Sequence, residues 1–304
     1  MLELALSLAP IFLLIALGWA FRRGTFPQGE FWLAAQHLVH FVLFPALLLG
    51  LLATADLSGF EVTPLIAAVA ASVMVMALAV MVIGWKPVSD GPAFALVFQG
   101  SLRFNAYVGV AAAAALFGTA GEVLAAVVIT VMVPLGEALS VVALARQAGR
   151  NTPSLGILST TLLRNPLILA SFAGIFLNMM EIGLPSISEP LVGFIGRAAL
   201  PIGLLCVGAS LDISGLGKSL KLILVTCVLK LVVMPTLMVI ACSAFDISGL
   251  TAKVALLFAA LPPSPPSCSV ARQLGDNAKL MSNLTTISTL VAVVTLPAIM
   301  LIYD

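Results

Sequence analysis

Charged side chains embedded in long apolar stretches are the first residues of this chain that could do chemistry. Arg103 lies in FQGSLRFNAYVGVA (98–111), Lys230 in CVLKLVVMP (227–235), Glu137 in VMVPLGEALS (131–140) and Arg197 within 187–209. An ionised group in hydrocarbon is costly and persists where it pairs, meets water or holds a ligand. Three cations stand against one carboxylate, an excess that suits a negatively charged ligand. Polar or helix-breaking residues accompany them: Ser101 and Asn105 beside Arg103, the run LPPSPPS (261–267), and Asn283 with Thr285, Thr286 and Ser288 in a last apolar stretch. The candidate binding residues are therefore Ser101, Arg103, Asn105, Lys230, Pro265, Pro266, Ser267 and Asn283. Glu137 is a candidate for proton coupling or for pairing with Arg103 or Lys230.

Other chemistries find little support. His37 and His40 share a helical face, but HLVH is not the zinc-protease HExxH, and no Cys or carboxylate cluster completes a metal site. Both histidines read as interhelical hydrogen-bonding groups, and Arg197 as a scaffold or subunit-interface residue. No paired catalytic aspartates and no Ser–His arrangement occur, so no catalytic residue and no cofactor is expected. An intramembrane enzyme is the remote alternative, as is a receptor. The four cysteines, Cys206, Cys227, Cys242 and Cys268, lie in apolar segments and do not suggest a secreted disulfide framework. A net charge of +1 without a basic cluster offers nothing to nucleic acid.

The elements that position these residues are membrane spans. The chain is 61% hydrophobic and 9% charged, against roughly 25% charged in soluble domains. Apolar runs near the ~20 residues needed to cross a bilayer fall at 2–21, 31–53, 63–84, 92–117, 121–145, 162–180, 187–209, 219–244, 250–271 and 280–303. The expectation is an all-α membrane protein of ten transmembrane helices, the first of them a retained span rather than a cleaved leader. Arg22, Arg23, Lys86, Arg146, Arg150, Arg164, Lys218, Lys221, Arg272 and Lys279 lie on one side, and Lys253 alone on the other. Positive residues collect in cytoplasmic turns, so both termini are expected on the outer side.

The chain also repeats itself. Shifted by 156 residues, PALLLGLLATADLSG (45–59) falls on PIGLLCVGASLDISG (201–215) with seven identities in fifteen, Asp56/Asp212 and Ser58/Ser214 among them. The same shift sets Pro10 on Pro166 and Gly18 on Gly174. A shift of 160 lays 95–111 over 255–271. A repeat of five spans places its two copies in opposite membrane orientations, the plan of many secondary transporters. It also pairs GSLRFNA (100–106) in span 4 with the proline run in span 9. Both stretches are expected to be non-helical at 101–106 and 262–267 and to approach each other. Irregular backbone at that depth is tolerated where protein or a watery cavity surrounds it, and half-helix N-termini there suit an anion. Asn105 would cap one half-helix and Ser264 or Ser267 the other, with Pro265 and Pro266 in its first turn.

FQGSLRFNAYVGVAAAAALFG (98–118), PPSPPSCSVARQLGDNAKLMSNLTTISTLVAVVTLP (262–297) and LKLVVMP (229–235) resemble the bacterial auxin efflux carrier family, a distant relative of the plant auxin carriers. The resemblance runs through all ten spans. It implies the NhaA-like crossover fold also found in bile-acid symporters, with broken helices 4 and 9 and a 5+5 inverted repeat. Scaffold helices would lie in 1–58 and 148–214, the latter including the cytoplasmic connection. A mobile transport domain would comprise 59–147 and 215–304. It further implies an elevator-type secondary transporter in a bacterial inner membrane, dimeric through its scaffold. Its substrates would be small organic anions, carboxylates such as malate, malonate or auxin-like acids, held near Asn105 and Pro265–Pro266. A sodium-coupled symporter of the bile-acid type is the alternative carrier. Span 3 here carries no ionisable residue, unlike the plant carriers, which argues away from auxin itself.

Overall fold

A computed structural model describes residues 2–24, 26–84, 91–147, 153–212, 214, 220–265 and 278–302. Regular structure among them is helical throughout, without strands. Spans apolar around their whole circumference have no water to satisfy N–H and C=O groups, so the backbone must satisfy itself within each helix. The helices in order are α1 (Leu2–Arg23), α2 (Gly29–Leu38), α3 (Phe44–Ala53), α4 (Val62–Gly84), α5 (Gly91–Leu102), α6 (Ala106–Gln147) and α7 (Leu155–Leu163). They continue as α8 (Pro166–Met179), α9 (Ser188–Arg197), α10 (Ala199–Ala209), α11 (Leu220–Val228), α12 (Met234–Ala244), α13 (Gly249–Ala260) and α14 (Ala278–Ile302). Among the described residues seven helical stretches are long and apolar enough to cross a bilayer, or eight if α7 and α8 form one span bent by 77°.

Prolines and glycines set the irregularities. A wide π turn, Val39–Leu43, joins α2 to α3 just before Pro45, and another, Leu229–Val233, joins α11 to α12 just before Pro235. Proline has no N–H and its ring clashes with the carbonyl four residues back, so the preceding turn widens instead of closing. Helices α9 and α10 likewise part at Ala198, three residues ahead of Pro201. Between α7 and α8, Asn165 accepts from the Leu167 N–H at 3.0 Å and Pro166 opens α8. Within α6, Gly118 takes φ 63° and ψ −151°, a kink no helical residue adopts.

Two helix pairs pack closely through glycine. Helix α1 lies along α10, where a methyl group on Gly18 would overlap the Leu205 carbonyl. Helix α3 lies along α8, where a methyl on Gly174 would come within 3.1 Å of the Leu49 carbonyl and 2.8 Å of Leu52 Cβ. Small residues let backbones approach where no hydrophobic effect drives helices together. A second bundle is formed by α4, α6, α12 and α13, with α5, α11 and α14 packed beside one another. The continuous core runs through α4, α6 and α13, whose Leu65, Val69, Leu124, Ile129, Leu257 and Phe258 are sealed from solvent.

The symmetric DxSG turns behave as turn chemistry. Asp56 Oδ1 accepts from the Ser58 hydroxyl at 2.6 Å and the Ser58 N–H at 3.0 Å. These bonds hold the Asp56 carboxyl below its ordinary range. Asp212 accepts from Ser214 in the same way, at 2.8 and 2.9 Å.

Candidate functional site

Helix α5 runs to Leu102, and the Arg103 N–H still closes onto the Gln99 carbonyl at 2.8 Å. Only residues 103–105 leave the helix, and α6 begins at Ala106. The first break is therefore shorter than the expected 101–106. Ser101 stays helical because its hydroxyl donates to the Phe98 carbonyl at 3.1 Å, a bond within its own turn. That hydroxyl is spent on its own helix and does not line the break.

Asn105 is the cap the sequence suggested. Its Oδ1 accepts from the Val108 N–H at 3.3 Å, and its carbonyl accepts the first helical bond, from Gly109, at 2.9 Å. The amide nitrogen of this fully buried side chain has no hydrogen-bond partner among the described residues.

The second break starts where α13 ends. Leu261 is extended, with φ −65° and ψ 145°, the conformation that a following proline imposes. Residues 262–265 are non-helical. Pro266 and Ser267, and with them the proposed cap and first turn of a second half-helix, lie outside the described residues, as does Cys268.

The two breaks touch. The Asn105 N–H donates to the Pro262 carbonyl at 2.9 Å, and Arg103 Nε donates to the Ser264 hydroxyl oxygen at 3.4 Å. Phe104 meets Phe258 edge to face at 5.7 Å between ring centres. From α14, Thr285 donates to the Ser264 carbonyl at 3.3 Å. Pro265, half-buried, ends the described part of this segment beside Ser264.

Arg103 also faces Glu137, Nη2 to Oε1 at 3.8 Å, with their side chains 20% and 30% exposed. Of the alternatives for Glu137, pairing with Arg103 is the one observed. Lys230 lies in the π turn Leu229–Val233, completely buried, and its Nζ has no hydrogen-bond partner among the described residues. That turn packs against α5 and α13, the two helices that end at the breaks, and against α14.

Two sequence expectations change. Asn283 does not reach the breaks: its Nδ2 donates to the Ser214 carbonyl at 3.1 Å. It belongs to a polar edge of α14 that also carries Ser282, donating to Ser210 at 2.7 Å, and Thr286, donating to Asp212 at 3.0 Å. Thr285, on another face of the same helix, is the member that meets the break. Arg197 is exposed on the protein surface, so the interior cations near the breaks are Arg103 and Lys230. His37 and His40 set their rings edge-on against Phe41, at 6.1 and 4.9 Å between centres.

Two residues escaped the sequence reading. Gln99 is buried, 1% exposed, and its Oε1 has no hydrogen-bond partner among the described residues; a lone amide in ALVFQGSL was the available signal. Tyr107, in the first turn of α6, packs on Phe44 of α3 at 4.9 Å between ring centres and against Gly203 of α10. Nothing in its local sequence marks that contact.

A comparison with curated proteins finds no match. The family model described as membrane transport protein matches residues 149–300, half of the chain, from just before α7 to near the end of α14. The match includes Lys230, the proline break and the polar edge of α14. With the apolar helices and the interrupted segments already described, it identifies the chain as a member of the auxin efflux carrier family of membrane transporters.

Proposed function

We propose that this protein is a secondary carrier of small organic anions, with the bound carboxylate held between the two breaks. The observation that carries this reading is a pair of fully buried donors without a hydrogen-bond partner among the described residues: Asn105 Nδ2 at the first break, and Lys230 Nζ in a turn packed against the two helices that end at the breaks. A buried donor without an acceptor costs about 1–3 kcal/mol. A carboxylate would relieve both and would neutralise the lysine. Arg103 adds positive charge at the rim, and the start of α6 adds its helix dipole.

An inverted repeat of ten crossings underlies the mechanism in this reading. It divides the 54-residue apolar stretch Ala93–Arg146 at Gly118, and counts α7–α8 as one span and the apolar run 250–271 as another. Support comes from the glycine pairs. The 156-residue shift carries Gly18 to Gly174 and Leu49 to Leu205, so the Gly18–Leu205 contact becomes the Gly174–Leu49 contact with the repeats exchanged. Pro45 and Pro201, related by the same shift, both follow a helix irregularity. Helices α1–α3 and α7–α10 would form a scaffold, dimeric across its outer face. Helices α4–α6 and α11–α14 would carry the anion in an elevator movement, in a bacterial inner membrane with both termini outside.

The test is thermal stabilisation of the purified chain by a panel of small carboxylates, with Asn105→Ala as control. Stabilisation by an anion, lost in the variant, supports the site. Stabilisation by sodium alone would favour the cation-coupled symporter, and no response to either would remove support for the site.

A further inference from the structure

Asn105 Nδ2 and Lys230 Nζ are donors, and a carboxylate satisfies both. Gln99 Oε1 is the opposite case: an acceptor, buried and unpartnered. A carboxylate has no hydrogen to offer it. Gln99 lies one helical turn before Arg103, whose N–H bonds the Gln99 carbonyl at 2.8 Å. The next residue, Gly100, brings α5 so close to α11 that an added methyl would come within 2.6 Å of Thr226 Cγ2. Thr226 stands one turn before Lys230. Gln99 and Lys230 thus lie one residue and one turn away from a close contact between α5, which ends at the first break, and α11.

We infer that Gln99 is a specificity residue of this carrier, whose Oε1 accepts a hydrogen bond from a hydroxyl on the substrate, selecting 2-hydroxycarboxylates over carboxylates that lack the hydroxyl. The inference rests on the anion-carrier reading. An ammonium donor would set a further positive charge beside Arg103 and Lys230, so an amino acid fits poorly. A neutral hydroxyl adds no charge and is small enough for the tightly packed approach of α5 to α11. A site built to hydrogen-bond a hydroxyl discriminates strongly, because the analogue without it leaves a buried group unpaired.

The experiment measures dissociation constants for matched pairs, lactate against propanoate and malate against succinate, on the purified full-length chain. In the wild type the hydroxy acid of the pair that binds is expected to be favoured by roughly tenfold or more. Gln99→Met, similar in length but without the strong acceptor, should bring the ratio towards one. Gln99→Asn, which keeps an acceptor on a shorter stem, should fall between them. Equal wild-type affinities within a pair overturn the role of Gln99 even if no variant folds, and leave the anion site standing. A ratio unchanged in Gln99→Met overturns it as well. Binding of none of the four acids overturns this inference and leaves the anion reading to the wider carboxylate panel.

Discussion

The backbone N–H of Asn105 donates to the carbonyl of Pro262 at 2.9 Å, joining two helices that both stop inside the apolar part of the protein. The bond has no mirror image. Under the 160-residue shift Asn105 corresponds to Pro265 and Pro262 to Leu102, and a proline at 265 has no N–H to return. The two breaks are therefore chemically unequal where they meet.

The two ends of the Asn105 amide are separable: Oδ1 caps α6, and Nδ2 has no hydrogen-bond partner among the described residues. Asn105→Asp keeps an acceptor for the cap but replaces the donor with a negative charge, so melting should move by only about 2 °C while carboxylate binding disappears. Asn105→Ala should lose the cap as well, at a cost of about 1 kcal/mol. Melting curves with and without the best-binding anion distinguish the two.

In the anion-carrier reading Glu137, 3.8 Å from the Arg103 guanidinium, would compete with the bound anion for it. Glu137→Gln should therefore tighten anion binding by about threefold and leave the pH profile of transport unchanged. The Arg103–Glu137 coupling from a double-mutant cycle should stay below about 1 kcal/mol, because both side chains are partly solvated. A transport rate that loses its pH dependence in Glu137→Gln would instead make this carboxylate the proton carrier.

Glycine substitutions should rank by what a methyl group meets. Gly18→Ala drives a methyl into the Leu205 backbone, and Gly174→Ala reaches side-chain and backbone atoms at 2.8 and 3.1 Å. The first should destabilise by about 3 kcal/mol and the second by about 1 kcal/mol. Gly136→Ala, with nothing within 4 Å, should be neutral or stabilise by up to about 1 kcal/mol. Thermal unfolding of the three variants in one detergent tests the order.

Helix α14 is tied to the turn after α10 by Ser282 on Ser210, Asn283 on Ser214 and Thr286 on Asp212. If α14 slides past α10 during transport, these bonds must break in every cycle. Ser214→Cys with Asn283→Cys, in a chain whose own cysteines are replaced, should cross-link with a short bifunctional thiol reagent and stop transport. A disulfide-containing linker lets a reductant restore it. Undiminished flux through the cross-linked carrier would rule out that movement.

Much of the architecture was legible in the order of residues. Apolar runs require helices because hydrocarbon offers the backbone no other partner, and proline clusters cannot continue a helix whatever surrounds them. The Asn105 cap was legible because an amide at the start of a helix has a local task. The shared registers of proline, glycine and the DxSG turns are properties of the sequence alone. Tertiary structure alone settled which polar groups face which. Asn283 and Thr285 are two residues apart in α14, yet one holds the turn at Ser214 and the other meets Ser264 at the break. The rotation of a helix against its neighbours decides such matters, and in apolar spans no pattern of polar and apolar positions announces that rotation. The same holds for the packing of Tyr107 on Phe44 and Gly203, and for Gln99 and Lys230, whose burial without a partner among the described residues belongs to the space between helices.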